Sequence, residues 1–349
     1  MTLTLITGAP GWVGTRLVRV LFDGLSVGPN TTPVAARSTL RCLIRPDQSP
    51  EPIQKIGAIE TVSGDLRDPA AARALCKDAQ GATLFHCAGV VHPRRTVSEL
   101  YEHNVTGTRN LLQAAEAAGV RRVIVLSSNS PVGNNPSRDH LFDEESPYNP
   151  YMSYGRSKMR MELDVKEFQA RGKLETVILR PTWFYGPDQP ERQTTFFRMI
   201  KNGSAPILGD GGNLRSMSYI DNLCQGILLS EFNPQANGQI YWIADRRPYS
   251  MAEIIDTVER LMETEFGMKV TRKRLRLPAF AGDLAQIGDA VIQGMGLYQQ
   301  KLHVISEMNK TIACSVEKAE RVLGYQPLVE LEEGMRRSLA WCMQNGVQI

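Results

Sequence analysis

Short apolar or β-branched runs alternate with longer stretches of helical periodicity through the first half of the chain. The runs at 3–6, 40–44, 59–63, 83–89, 122–126 and 176–180 read as strands, and the stretches at 15–25, 69–77, 97–118 and 153–170 as helices. Strands joined through helices by short connections lie parallel with right-handed crossovers, so the fold class is α/β, a doubly wound parallel sheet. Residues 26–39, rich in Gly, Pro and Thr, and 129–151, with prolines at 131, 136, 147 and 150, read as loops. Prolines crowd again at 181–190, where the chain is expected to leave the sheet for a smaller, mostly helical region. Its pieces are helices at 194–201, 223–230, 251–265 and 331–344, a turn at 209–212 and a short strand at 239–244. The division is thus 1–180, with later strand returns near 215–245, and 181–349.

Composition narrows the classes. A chain of 349 residues can bury a substantial core, either as one α/β domain or as a large plus a small one. Forty Lys and Arg against 37 Asp and Glu leave a formal charge of +3, too balanced to point to nucleic acid. The six cysteines are scattered, with no C-x-x-C pair and no His cluster at ligand spacing, so no metal is expected and a reduced, cytoplasmic protein is the simplest reading. No signal peptide is expected, because the first strand already belongs to the fold. The most apolar late segment, 278–297, is interrupted by Asp283 and Asp289 and does not read as a membrane span. Just before it Lys269, Arg272, Lys273, Arg274 and Arg276 crowd together. They read either as a solvated edge or as an attraction to anionic membrane surface, with the following segment lying on the lipid.

Candidate chemistry begins at Thr7-Gly8-Ala9-Pro10-Gly11-Trp12-Val13-Gly14, between the first strand and the first helix. Glycines there let the backbone approach a pyrophosphate, whose charge faces the free N–H groups and positive dipole end of the helix. Arg45 follows the second strand, where a basic residue would hold a 2′-phosphate; it favours NADP(H) over NAD(H), with a solvated strand-end Arg as the plain alternative. Ala88-Gly89 ends the fourth strand in a corner where a larger side chain would obstruct a flat ligand. Tyr154 and Lys158 stand four apart on one helix face, and an ammonium beside a phenol favours the phenolate and makes it a usable general acid or base. Ser128, at the carboxyl end of a central strand, can donate a hydrogen bond to a substrate oxygen.

Taken together these pieces resemble the extended short-chain dehydrogenases/reductases, the NAD-dependent epimerase/dehydratase superfamily, over nearly the whole chain. The shared pattern is Thr7-Gly8-x-x-Gly11-x-x-Gly14, Gly64-Asp65-Leu66, Ala88-Gly89, Asn104-Val105-x-Gly107-Thr108, Ser127-Ser128, Tyr154-x-x-x-Lys158, Arg180-Pro181-x-x-x-Tyr185-Gly186-Pro187 and Tyr219-x-Asp221-Asn222. The resemblance implies a Rossmann domain over 1–180 that binds NAD(P), a substrate region over 181–349, and a catalytic trio of Ser128, Tyr154 and Lys158. It places Asp65 and Leu66 near the adenine, and Ser127, Tyr154, Lys158, Pro181, Thr182 and Trp183 near the nicotinamide; Asn104 is expected to be mainly structural. Pairing of two copies through the helices at 97–118 and 154–170 is implied in the same way.

Among branches of this family, dehydratases carry an Asp-Glu pair where this chain has Asn129-Ser130, and sugar-nucleotide enzymes carry an Asn where it has Trp183. The Arg-Pro-Thr opening at 180 looks like the 3β-hydroxysteroid and 4α-carboxysterol dehydrogenases, and Trp183 and Phe184 would suit an apolar ring system or simply pack in the core. Arg215 looks like a phosphate-binding Arg of the sugar-nucleotide branch, though Arg215 and Arg192 would equally hold a substrate carboxylate. The expectation is an alcohol/ketone oxidoreductase acting on a bulky, largely apolar small molecule, with a nucleotide-sugar epimerase or 4-ketoreductase as the alternative. A non-enzymatic NAD(P)-binding regulator is a third class, against which the retained Tyr and Lys speak.

Overall fold

The computed structural model describes residues 3–25 and 39–349. Strand β1 (Thr4–Thr7) is buried along its length and turns through the glycine loop into helix α1 (Trp12–Asp23). After β2 (Leu40–Ile44) come the short α2 (Glu51–Gln54), β3 (Glu60–Ser63), α3 (Pro69–Leu75) and β4 (Thr83–His86). Asp68 caps α3 by accepting the Ala70 N–H, which with Pro69 at the first helical position fixes where that helix begins. Helices α4 (Ser98–Tyr101) and α5 (Thr108–Ala117) precede β5 (Arg122–Leu126), and α6 (Met152–Ala170) precedes β6 (Glu175–Pro181). The loop expected at 26–39 lies, but for residue 39, outside the described residues.

Beyond β6 the chain forms β7 (Trp183–Tyr185), α7 (Glu191–Lys201), β8 (Pro206–Leu208), β9 (Leu214–Arg215), β10 (Met217–Tyr219), α8 (Ile220–Phe232) and β11 (Ile240–Ile243). It ends with β12 (Tyr249–Ser250), α9 (Met251–Thr264), β13 (Leu275–Leu277), α10 (Phe280–Gly294), α11 (Gln300–Glu307), α12 (Glu317–Leu323) and α13 (Leu331–Gln344).

Seven of these strands form one parallel sheet in the order β11-β6-β5-β4-β1-β2-β3, a Rossmann-like arrangement. The order reverses between β1 and β4, whose ends lie side by side with Thr7 opposite His86. Ligands of open parallel sheets bind outside the carboxyl ends of the strands at such a reversal, so topology alone puts the site between the glycine loop and the Ala88–Gly89 corner. Two cores flank the sheet. One, with Leu75, Leu112, Val125 and Phe168, lies under α3, α5 and α6; the other runs from α1 across Trp242 into the later helices. The short strand read at 239–244 is β11, the edge of the main sheet beside β6, a return of the chain to the sheet within the expected 215–245 stretch.

Several elements differ from the sequence reading for local reasons. The helix expected over 97–118 is interrupted by a π-helical turn, Glu102–Gly107, between α4 and α5. That turn lets Asn104 face the corner after β4, and Gly107 packs where an added Cβ would lie 3.2 Å from the Leu66 Cβ. Helix α8 starts at Ile220, so Asp221 and Asn222 sit inside its first turn rather than before it. In the basic stretch Arg272 pairs with Glu263, Arg274 with Asp256 and Glu259, and β13 pairs with β8. Helices α10 to α12 were not anticipated. Among the described residues no helix is long and apolar enough to cross a membrane.

Candidate active site

The glycine loop is built by close contacts that only glycine tolerates. Gly8 has φ +89°, and a Cβ there would lie 2.5 Å from the Cys87 carbonyl carbon; one on Gly14 would lie 2.5 Å from the Gly8 oxygen. Gly11 donates its N–H to the Gly8 oxygen (2.9 Å) and stands at the N-cap of α1, where no side chain caps the helix and no acid occupies the first turn. The open N–H groups and the narrow corner beside them fit the diphosphate of a dinucleotide. Val13 and Gly14 are buried behind the loop, whereas Trp12 leans across the cleft, donating its indole N–H to the Pro187 carbonyl (2.7 Å) and meeting Phe184 edge-on.

At the other wall of the cleft, Asn104 accepts the Val90 N–H and donates to the Val90 carbonyl, both at 2.8 Å, and donates to Ser157 Oγ at 3.1 Å. It therefore ties the corner after β4 to helix α6. An added Cβ on Gly89 would lie 3.3 Å from both Asn104 Oδ1 and Lys158 Nζ, so the corner must stay bare for Lys158 to reach it. Lys158 is buried and donates to the Leu126 carbonyl (2.9 Å); burial pulls its pKa down to about 8 against the opposing charge of Glu162.

Tyr154 follows a sharp entry into α6, where Met152 holds a left-handed φ of +50°. Ser128, which accepts the Ser130 N–H at 3.3 Å, lies near the Tyr154 hydroxyl. Burial pushes the Tyr154 pKa up to about 12; the Ser128 hydroxyl and the nearby Arg192 charge act the other way. The lowering expected from Lys158 is thus not what dominates here, because both groups are withdrawn from water and the lysine is engaged with Leu126. A protonated phenol at the cleft is a donor, ready to act as a general acid.

The remaining predicted residues divide. Arg45 lies just past β2, half-exposed and paired with Asp47 (2.8 Å), an exposed contact that costs little to open. Asp65 is chelated by Arg67 through its N–H, Nε and Nη2; burial alone would raise the Asp65 carboxyl, but these bonds hold it below its usual range. Leu66 is buried. Thr182 spends its hydroxyl on Ser218 (3.0 Å), directly after Pro181 at the end of β6. Trp183 is half-buried against Phe196, with Phe184 beside it. Arg192 is exposed on the first turn of α7, near enough for its charge to act on Tyr154, His92 and Tyr298. Arg215 is withdrawn from solvent, donates to the Glu307 carbonyl, and leaves its Nε buried without a partner.

Ser127, at the end of β5, has its hydroxyl engaged beneath α6. Its hydroxyl is donated to Glu162 (2.5 Å), a fully buried carboxylate that also binds Arg180 in a bidentate pair (2.7 and 3.0 Å) and accepts from Tyr148 (2.8 Å). This network under α6 is invisible to motif reading, since its members are separated by up to 53 residues. Arg16 was also missed: it grips Asp221 through two nitrogens (2.5 and 2.8 Å) and reaches Asp188 (3.2 Å), which gives the Tyr219-x-Asp221-Asn222 pattern a structural purpose. His86, neutral because burial drives its pKa to about 3, bridges Thr7 and Thr108 and braces the two central strands.

A doubly wound sheet with a glycine cradle at its reversal and a Ser, Tyr and Lys beside it defines the class of extended short-chain dehydrogenases/reductases. The sequence model of the NAD dependent epimerase/dehydratase family matches residues 4–244, and the chain belongs to that family of NAD-dependent enzymes. It is 49% identical over 346 residues to the uncharacterized protein y4nL of Sinorhizobium fredii (strain NBRC 101917 / NGR234), covering 99% of this chain and 96% of that one. It is 28% identical over 301 residues to 3beta-hydroxysteroid-dehydrogenase/decarboxylase isoform 1 of Arabidopsis thaliana, covering 81% of this chain and 66% of the relative. The crystal structure of UDP-glucuronic acid 4-epimerase from Bacillus cereus in complex with NAD superposes with a TM-score of 0.74 at 19% identity, over 99% of this chain and 100% of that one.

Proposed function

We propose that the enzyme interconverts an alcohol and a ketone on a bulky, largely apolar, sterol-like substrate, with residues 1–180 holding the dinucleotide and 181–349 the substrate. The observation that carries this reading is a buried, protonated Tyr154 near Ser128, with the aromatic strand Trp183–Tyr185 just after β6 and Asn129-Ser130 in place of an acid pair. When bound, the dinucleotide supplies a hydride acceptor or donor. Ser128 orients the substrate oxygen by a hydrogen bond, and Tyr154 gives or takes the proton on it. Lys158, beside the Gly89 corner, holds the ribose side of the dinucleotide. Arg192, at the cleft edge, meets a carboxylate on the substrate. With a panel of hydroxysteroids and UDP- or dTDP-sugars, nicotinamide absorbance is expected to change with the hydroxysteroids; turnover of the sugars alone would reverse the assignment.

The second reading, a nucleotide sugar, has one observation in its favour: the partnerless, buried Nε of Arg215, which a diphosphate would satisfy. For the cofactor, Arg45 supports NADP(H) over NAD(H). Releasing it from Asp47 and placing it on a 2′-phosphate exchanges a weak exposed pair for a charge-assisted bond. Arg45→Ala is expected to weaken NADPH binding by about tenfold or more and NADH binding hardly at all, as fluorescence titration of the two nucleotides would report. Two copies are proposed to pair through α5 and α6 in a cytoplasmic enzyme, which light scattering of the purified chain would test.

A further inference from the structure

Helix α10 is built inside out for a member of a globular fold. Phe280, Leu284, Ile287, Val291 and Met295 recur at helical spacing and are all 59% exposed or more, whereas Ala285, Asp289 and Gln293 are buried. Eight of the fourteen large exposed hydrophobic residues among those described fall between 275 and 304. An apolar stripe of this length turned to water is a docking surface in search of its cover.

Charge says what covers it. The exposed acid along α10, Asp283, is neutralised by Lys310 (2.7 Å) and Asn309. Around the stripe stand Lys273 and Arg276 at its start and Lys301 past its end, all exposed and without an ion pair among the described residues. Arg272 and Arg274 are already paired with acids of α9, so the cations left over are those next to the apolar face. Apolar residues bordered by unpaired Lys and Arg, on a helix too short to span, match an anionic bilayer surface.

The inner face of the same helix meets the active site. Gln293 Oε1 accepts the N–H of Ser153, the residue before Tyr154, at 3.0 Å, and its Nε2 donates to Asp289 (2.9 Å), which also holds His303 of α11 (2.7 Å). Tyr151, one turn earlier, donates to Ser306 of α11 at 2.8 Å. One hairpin, α10–α11, thus offers apolar residues outward and grips the start of the catalytic helix inward.

We propose that α10 seats the enzyme on anionic membrane surface and that the substrate is a lipid drawn from that membrane past α10 to Tyr154; the second half of this statement rests on the alcohol/ketone reading above. The purified enzyme is expected to float with vesicles of phosphatidylcholine mixed with phosphatidylglycerol, to float far less with phosphatidylcholine alone, and to be released by salt. Ile287→Asn/Val291→Asn and, separately, Lys273→Glu/Arg276→Glu alter exposed side chains and should melt like the wild type while losing vesicle binding by about tenfold or more. With a bilayer-dissolved hydroxysteroid, KM should rise in both variants and kcat stay unchanged. Absence of wild-type binding to the anionic vesicles overturns the seating, as does equal binding by the variants. A wild-type dimer that Ile287→Asn/Val291→Asn splits, without vesicle binding, also overturns it and assigns the face to a second copy. Vesicle binding without turnover of any apolar alcohol supports the seating and overturns the catalytic reading. Turnover of detergent-dispersed substrate without vesicle binding does the reverse.

Discussion

Tyr154→Phe is expected to lower kcat by about 10²–10⁴-fold, the range that a positioned general acid contributes, while leaving dinucleotide affinity within about twofold. The ring is buried with Ser128 near its hydroxyl, so removing one oxygen leaves the packing of α6 against the sheet in place. The phenol is pushed up to about 12, which keeps its proton available throughout the neutral range in the reducing direction. Stopped-flow turnover beside equilibrium titration of the nucleotide separates the two effects. Full activity in the variant would remove Tyr154 from the reaction.

Glu162→Ala should cost about 3–5 kcal/mol of folding stability, because it strands the buried guanidinium of Arg180 and removes the acceptor of Ser127 and Tyr148. Both members of the ion pair are out of water, and Arg180 lies between the rings of Tyr148 and Trp242 at 5.5 and 5.6 Å. The loss therefore comes mostly from the unpaired charge and less from the missing carboxylate. Replacing both partners by apolar residues, Glu162→Leu with Arg180→Met, should recover much of it. Urea unfolding of the three proteins decides the matter, and a single variant as stable as the wild type would show that the charge finds another partner.

The contrast between these residues explains how much was legible in the sequence. Tyr154, Lys158, the glycine loop and the strand-helix alternation announce themselves through spacing within one element, because their purpose is local geometry. Six strands of the sheet are legible from their patterning, and the expected return of the chain near 215–245 covers β11, which pairs with β6 across the whole of β7 to α8. Glu162 and Arg16 carry no local signature: each looks like a surface charge on an amphipathic helix until the fold supplies its partner, Arg180 for one and the motif residue Asp221 for the other. The bond of the Ser127 hydroxyl is hidden for the same reason, its acceptor lying 35 positions away. Helix α10 was read as an apolar segment and not as a helix, although its stripe has helical spacing. The usual inference from such a stripe, that it faces the core, would have oriented it backwards.

The bond from the Trp12 indole, at the start of α1, to the Pro187 carbonyl joins residues 175 positions apart. The glycine turn before α1 and the aromatic strand Trp183–Tyr185 are thereby fastened to one another, so that neither shifts without drawing on the other.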